Sequence, residues 1–136
     1  DGSGAAKAMK LAMNEAGIDA SQVGYVNAHG TSTQANEHSE SQAIVAVLGK
    51  DVPVSSTKSF TGHLLGAAGG VEAIATIEAI RHQYVPMTAG TKGLSEDIEA
   101  NVIYGQGVDA PIEYALSNTF GFGGHNAVTA FKRWED

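Results

Sequence analysis

Gly62, Gly66 and Gly70 recur every four residues in a Gly/Ala-rich segment whose only formal charge before Glu78 is Glu72. Residues four apart stack on one helical face, where a missing side chain lets another backbone approach closely. Each glycine costs about 1 kcal/mol against alanine inside a helix, so several together need a packing reason. The segment reads as a buried helix running to about Arg81. A lone carboxylate in so apolar a helix is costly without a partner, and Lys58, just upstream, is either a surface lysine or the cation that pairs with Glu72. His63 falls at the helix mouth, where unpaired N–H groups and the positive dipole end can stabilise developing negative charge.

Strand-loop-helix patterns precede this helix. Residues 5–16 place Ala5, Ala8, Met9, Ala12, Met13 and Ala16 on a helical stripe, with Gly17 as the cap. Residues 23–28 read as a short buried strand delivering His29, Gly30, Thr31, Ser32 and Thr33 into a loop at its C-terminal end, the edge where open α/β sheets bind ligands. Asn36 is the expected N-cap of a second helix through Leu48, with Ala43, Ile44, Val47 and Leu48 facing inward and Gly49 closing it. Residues 52–55 form a second strand, again leading into polar residues. Two such units in succession predict an α/β layered domain with parallel strands. Residues 87–101 read as a surface excursion and 102–104 as a short strand. Residues 113–117 and 127–131 read as an antiparallel pair joined by a wide Gly-rich turn.

A length of 136 residues with 43% hydrophobic content is one domain's worth of material with enough apolar surface for a core. The formal net charge of -7 argues against nucleic acid or an anionic membrane as the main partner. No apolar run is long enough to span a bilayer comfortably, and no targeting peptide is apparent. With no cysteine, the chain has no disulfide, zinc-cysteine site or cysteine nucleophile of its own. The first residues, Asp1-Gly2-Ser3-Gly4, read as the start of a cut piece or a trimmed chain rather than a natural beginning.

Other signals are weak or negative. Lys58-Ser59 resembles the end of a phosphate-binding loop, but Thr57 stands where that loop needs glycine. Gly121 to Gly124 precede a strand rather than a helix, so a turn is expected there instead of a dinucleotide fingerprint. Phe120 and Phe122 are either core plugs or walls of an apolar channel. The five histidines show no metal-type pairing, with His38, His82 and His125 at solvated or capping positions, and no Gly-x-Ser-x-Gly elbow is present. His29 alone is either a hydrogen-bond donor in a site or a loop histidine bonded to backbone.

The order of the motifs carries more than any one of them. Asn27-Ala28-His29-Gly30-Thr31-Ser32-Thr33, Ser55-Ser56-Thr57-Lys58-Ser59, Thr61-Gly62-His63-Leu64-Leu65-Gly66-Ala67-Ala68-Gly69 and Asn118-Thr119-Phe120-Gly121-Phe122-Gly123-Gly124 follow one another. Together they closely resemble the C-terminal half of β-ketoacyl-acyl-carrier-protein synthases, the condensing enzymes of fatty-acid synthesis, over essentially residues 1–136. The resemblance implies the C-terminal half of a thiolase-like layered α/β fold, with a mixed sheet packed on helices including the buried Gly/Ala-rich one. It implies an acyltransferase that joins malonyl-carrier protein to an acyl-enzyme thioester by decarboxylative condensation. The nucleophilic cysteine would belong to the other half, leaving this piece inactive alone.

By motif position, His29 and His63 would donate hydrogen bonds to the malonyl thioester oxygen, kept neutral by the nearby ammonium of Lys58, with Glu72 as the lysine's ion-pair partner. Thr31 and Thr33 would hold the phosphopantetheine arm. Phe122 would gate the site and lend its backbone N–H to an oxyanion hole, with Phe120 beside it. No cofactor or metal is implied beyond the arm on acyl carrier protein. The expected setting is a cytoplasmic homodimer whose partners are acyl carrier protein and its acyl and malonyl thioesters. A non-catalytic chain-length or acyl-binding partner on the same fold is the alternative. Gln34, Glu37 and His125 depart from the commonest family residues, none of them at a position with an assigned chemical role. The resemblance also implies a central strand before the first helix. Without it, the sheet is expected to have an empty central slot with unpaired neighbours, so that the chain alone would rearrange, self-associate or need its other half.

Overall fold

The computed structural model describes residues 2–30, 34–57, 68–88, 98–120 and 126–134, at 34–36 and 68–69 by their backbone. Helix α1 (Ser3–Ala16) follows the expected stripe, burying Ala5, Met9 and Met13. It closes on Gly17 at φ 70°, a left-handed conformation that glycine adopts without strain. A short 3₁₀ turn (Ala20–Gln22), capped by Asp19, leads into β1 (Val23–Asn27). Helix α2 (Gln34–Leu48) begins two residues before Asn36, which therefore lies in its first turn instead of capping it, with Glu37 complementing the dipole there. Gly49 ends α2 as expected, donating its N–H to Val45 at 2.9 Å with φ at 89°.

Strand β2 (Pro53–Ser55) is followed, across undescribed residues, by α3 (Ala68–His82). The short strands β3 (Tyr84–Val85), β4 (Asn101–Val102) and β5 (Val108–Asp109) come next. The paired strands β6 (Tyr114–Phe120) and β7 (Asn126–Lys132) finish the described chain. The main sheet runs β4-β2-β1-β6-β7, parallel except for β7, and β3 and β5 form a separate antiparallel pair. No helix among the described residues is long and apolar enough to cross a membrane.

The expected gap at the centre of the sheet is not there. β1 bonds directly to β6 in parallel, with Val26 opposite Leu116 and Asn27 opposite Ser117, so the backbone groups of both strands are paired. Among the described residues, β4 and β7 are the sheet's edge strands.

Strand alternation sends Val26, Val54 and Leu116 toward Met9, Met13, Ala43 and Ile44 on the α1/α2 side. Tyr25 and Ala115 turn the other way, toward Ala79 and Ile80 of α3. The result is a three-layer α/β/α body.

The Gly/Ala-rich helix departs from expectation on one face. Glu72, Thr76, Ala79 and Ile80 are buried, but Ile74 is 63% exposed and Ile77 41%. A Cβ added at Gly70 would meet nothing within 4 Å among the described residues, so none of their backbone approaches there. Gly62 and Gly66 lie outside the described residues.

Candidate functional site

Parallel strands β1, β2 and β6 all point the same way, so the residues following their C-terminal ends meet on one edge of the sheet. His29 follows β1, Ser56 and Thr57 follow β2, and Phe120 ends β6. A separate open cleft of about 350 Å³ lies at the opposite, N-terminal edge, between Val23, Gln83, Ile112 and Arg133. It contains none of the residues singled out from the motifs.

His29 is 7% exposed and held from two sides. The backbone N–H of Phe120 donates to its Nδ1 at 3.2 Å. Accepting that bond requires a bare Nδ1, so the ring in this arrangement is neutral with its proton on Nε2. The two rings lie 5.5 Å apart, tilted by 50°. Phe120 therefore acts on the site through its main chain as well as its side chain.

The second constraint is Glu40, on the buried face of α2 and 6% exposed. Its Oε2 accepts the His29 N–H at 2.7 Å and its Oε1 accepts the Gly30 N–H at 3.0 Å. The Asn118 amide adds a bond to Oε2 at 3.3 Å. Three N–H donors converging on one carboxylate offset the cost of burying it and fix the first turn of the His29 loop. Gly30 continues that turn at φ 51°, packed so tightly that an added Cβ would sit 2.5 Å from Cβ of Ser56.

On the opposite face, Glu72 of α3 is 1% exposed and accepts from the Thr119 hydroxyl at 3.2 Å. The end of β6 thus alternates its contacts: Asn118 to Glu40, Thr119 to Glu72, Phe120 to His29. Below them the Asn27 amide donates to the hydroxyls of Thr57 at 3.3 Å and Tyr25 at 3.4 Å. The phenol of Tyr25 in turn lies 2.8 Å from the Ser55 hydroxyl. Burial pushes the Tyr25 phenol above its usual pKa, more than its bonds to Ser55 and Asn27 lower it.

Of the residues singled out from the sequence, His29, Phe120 and Glu72 are thus placed on this edge. Thr31, Thr33, Lys58, His63 and Phe122 lie outside the described residues, and with them the Lys58–Glu72 pair. His82 is exposed and bonded to Glu78 at 3.0 Å, a solvated position as expected. Sequence reasoning overlooked Glu40 and gave Asn118, though part of a motif, no role. The signal for Glu40 was present: it stands three and four residues before Ala43 and Ile44, so it shares their buried face. The question of a partner asked of Glu72 applies to it equally.

A neutral imidazole with a donating Nε2, locked by a strand-end N–H and by a buried carboxylate beneath its loop, is suited to bonding an oxygen that becomes negative. Residues 1–92 match the family model for the beta-ketoacyl synthase C-terminal domain, and the chain belongs to that family. It is 45% identical to 3-oxoacyl-[acyl-carrier-protein] synthase 2 of Synechocystis sp., an alignment covering 99% of this chain and 33% of the relative. A beta-ketoacyl synthase crystal structure from Burkholderia phymatum superposes with a TM-score of 0.92 at 40% identity, covering 96% of this chain and 32% of that one. A type II polyketide synthase ketosynthase, solved in complex with its acyl-carrier protein, gives 0.90 at 37% identity, with coverage of 96% and 33%. The fold is that of thiolase-like ketosynthases, and the chain spans about a third of the length of the relatives it matches.

Proposed function

We propose that this chain is the C-terminal part of a 3-oxoacyl-acyl-carrier-protein synthase, which elongates fatty-acyl chains by decarboxylative condensation. The observation that carries this reading is the Phe120 N–H to His29 Nδ1 bond, which makes Nε2 a hydrogen-bond donor at a sheet edge suited to ligands. In the proposed reaction an acyl group passes from the carrier thioester to a cysteine supplied by the rest of the protein, releasing the carrier thiol. The malonyl group, held as a second carrier thioester, then loses carbon dioxide. Its carbon–carboxylate electron pair becomes an enolate whose oxygen would be bonded by His29 and His63. The enolate carbon attacks the acyl carbonyl, and the cysteine thiolate leaves.

Lys58, paired with Glu72, would keep both imidazoles uncharged, since a neighbouring ammonium disfavours a second cation. Thr31 and Thr33 would bond the phosphopantetheine arm, and Phe122 would gate the pocket. Residues 1–136 form the C-terminal domain of this enzyme, which is incomplete for catalysis without the cysteine. Acyl carrier protein, the partner in the polyketide complex, is the proposed carrier here too. The working form is a cytoplasmic homodimer needing no bound cofactor.

Decarboxylation needs an oxyanion sink, and removing one such donor typically costs a factor of about 10²–10³ in turnover. Carbon dioxide release from malonyl-carrier protein by the full-length protein is therefore expected to fall by about that factor in His29→Ala. Undiminished release would remove His29 from the reaction.

A further inference from the structure

We propose that Thr88 is a positioning residue for this reaction, acting through Ser56 on the loop that carries His29. The inference rests on the condensing reading above and adds a residue that none of the motifs contains.

Strand β2 ends at Ser55, and the next N–H, that of buried Ser56, leaves the ladder. It donates instead to the Thr88 hydroxyl oxygen at 3.1 Å, across 32 residues of sequence. Thr88 is itself fixed by main chain. Its N–H donates to the Ile103 carbonyl at 2.8 Å, and Ile103 donates back to the Val54 carbonyl, also at 2.8 Å. Val54, Ile103, Thr88 and Ser56 thus close a ring of three hydrogen bonds around the exit of β2. Two of the three are backbone to backbone. The third depends on one side-chain oxygen.

What that ring holds in place is the neighbour of the histidine. Ser56 packs against Gly30 so closely that a Cβ on Gly30 would lie 2.5 Å from both its Cβ and its Oγ. Gly30 directly follows His29. Two further bonds tie the same strand exits together: Ala28 N–H to the Ser55 carbonyl at 2.9 Å, and the Asn27 amide to the Thr57 hydroxyl at 3.3 Å. A displacement of Ser56 therefore presses on Gly30 and through it moves the imidazole. Ser56 also leads, two residues on, to Lys58.

Losing the Thr88 hydroxyl leaves a buried N–H without its acceptor, and the β2 exit must shift to find another. Misplacing a reacting group by about 1 Å can cost about 10²-fold in rate. The test uses the full-length protein with malonyl- and acyl-carrier protein. Thr88→Val, which keeps the shape and removes the acceptor, is expected to lower kcat by about 10- to 100-fold while KM stays within about threefold. Thr88→Ser, which restores the oxygen, is expected within about twofold of wild type. Hydrogen exchange at the Ser56 amide should accelerate in Thr88→Val and not in Thr88→Ser. Should Thr88→Val not fold, Thr88→Ala replaces it with the same expectations.

Wild-type kcat in Thr88→Val, or equal impairment in both variants, overturns the proposal. So does a melting temperature that falls with kcat unchanged, since that is the signature of a purely structural role. A wild-type protein that condenses nothing would defeat the functional reading instead. The Ser56 exchange pattern would still decide whether the contact exists.

Discussion

The imidazole of His29 is set by groups that are not themselves reactive. Phe120 presents a main-chain N–H that only a bare Nδ1 can accept, and Glu40 takes the two consecutive N–H groups at the turn. Hydrogen bonds to a charged group contribute about 1.5–3 kcal/mol each, and a buried donor left unpaired costs about 1–3 kcal/mol. Glu40→Ala in the full-length protein is therefore expected to lose about 2–4 kcal/mol in urea unfolding and to lower turnover as the His29 loop relaxes. Stability within about 0.5 kcal/mol of wild type would mean that the carboxylate is not what holds the turn. This clamp was legible at residue level only in part. Burial of α2's face at Ala43 and Ile44 implies that Glu40 points inward, but its partners are main-chain groups of a loop, which no spacing rule reveals.

Among the elements, β6 does most to organise the site, because strand alternation lets one segment address both helical layers and the histidine in successive residues. That strand pair was readable from the alternation of its side chains. The short β3 and β5 were not, since two residues carry no period. Helix α3 shows a different limit. A Gly/Ala-rich segment announces close packing but not which faces are packed within a given stretch of chain. Here Glu72, Thr76 and Ile80 turn inward, while Ile74 and Ile77 turn outward. A chain spanning a third of its relatives' length leaves ample polypeptide to cover that outer stripe, and we expect the remainder of the protein to do so. Ile74→Lys in the full-length protein should then cost more than about 2 kcal/mol, since burying an isoleucine contributes about 1.5–3 kcal/mol and an unpaired ammonium there adds a penalty. A change within about 0.5 kcal/mol would place that face in solvent.

At the level of the whole molecule, the layered α/β architecture and its parallel strands follow from two strand-loop-helix units, and the motif order identifies the family. The order of strands in the sheet does not follow from either. Direct β1–β6 pairing removes the supposed central vacancy, so association of this chain through such a slot is no longer expected. What the architecture accomplishes is to bring three strand ends, separated along the chain, to one edge, where the Phe120 N–H meets Nδ1 of His29. Nitrogen-15 NMR of the histidines in the full-length protein near pH 7 tests this most directly. The expected spectrum shows His29 with a protonated Nε2 and a bare, hydrogen-bonded Nδ1; an imidazolium, or the opposite tautomer, would contradict the proposed chemistry at its root.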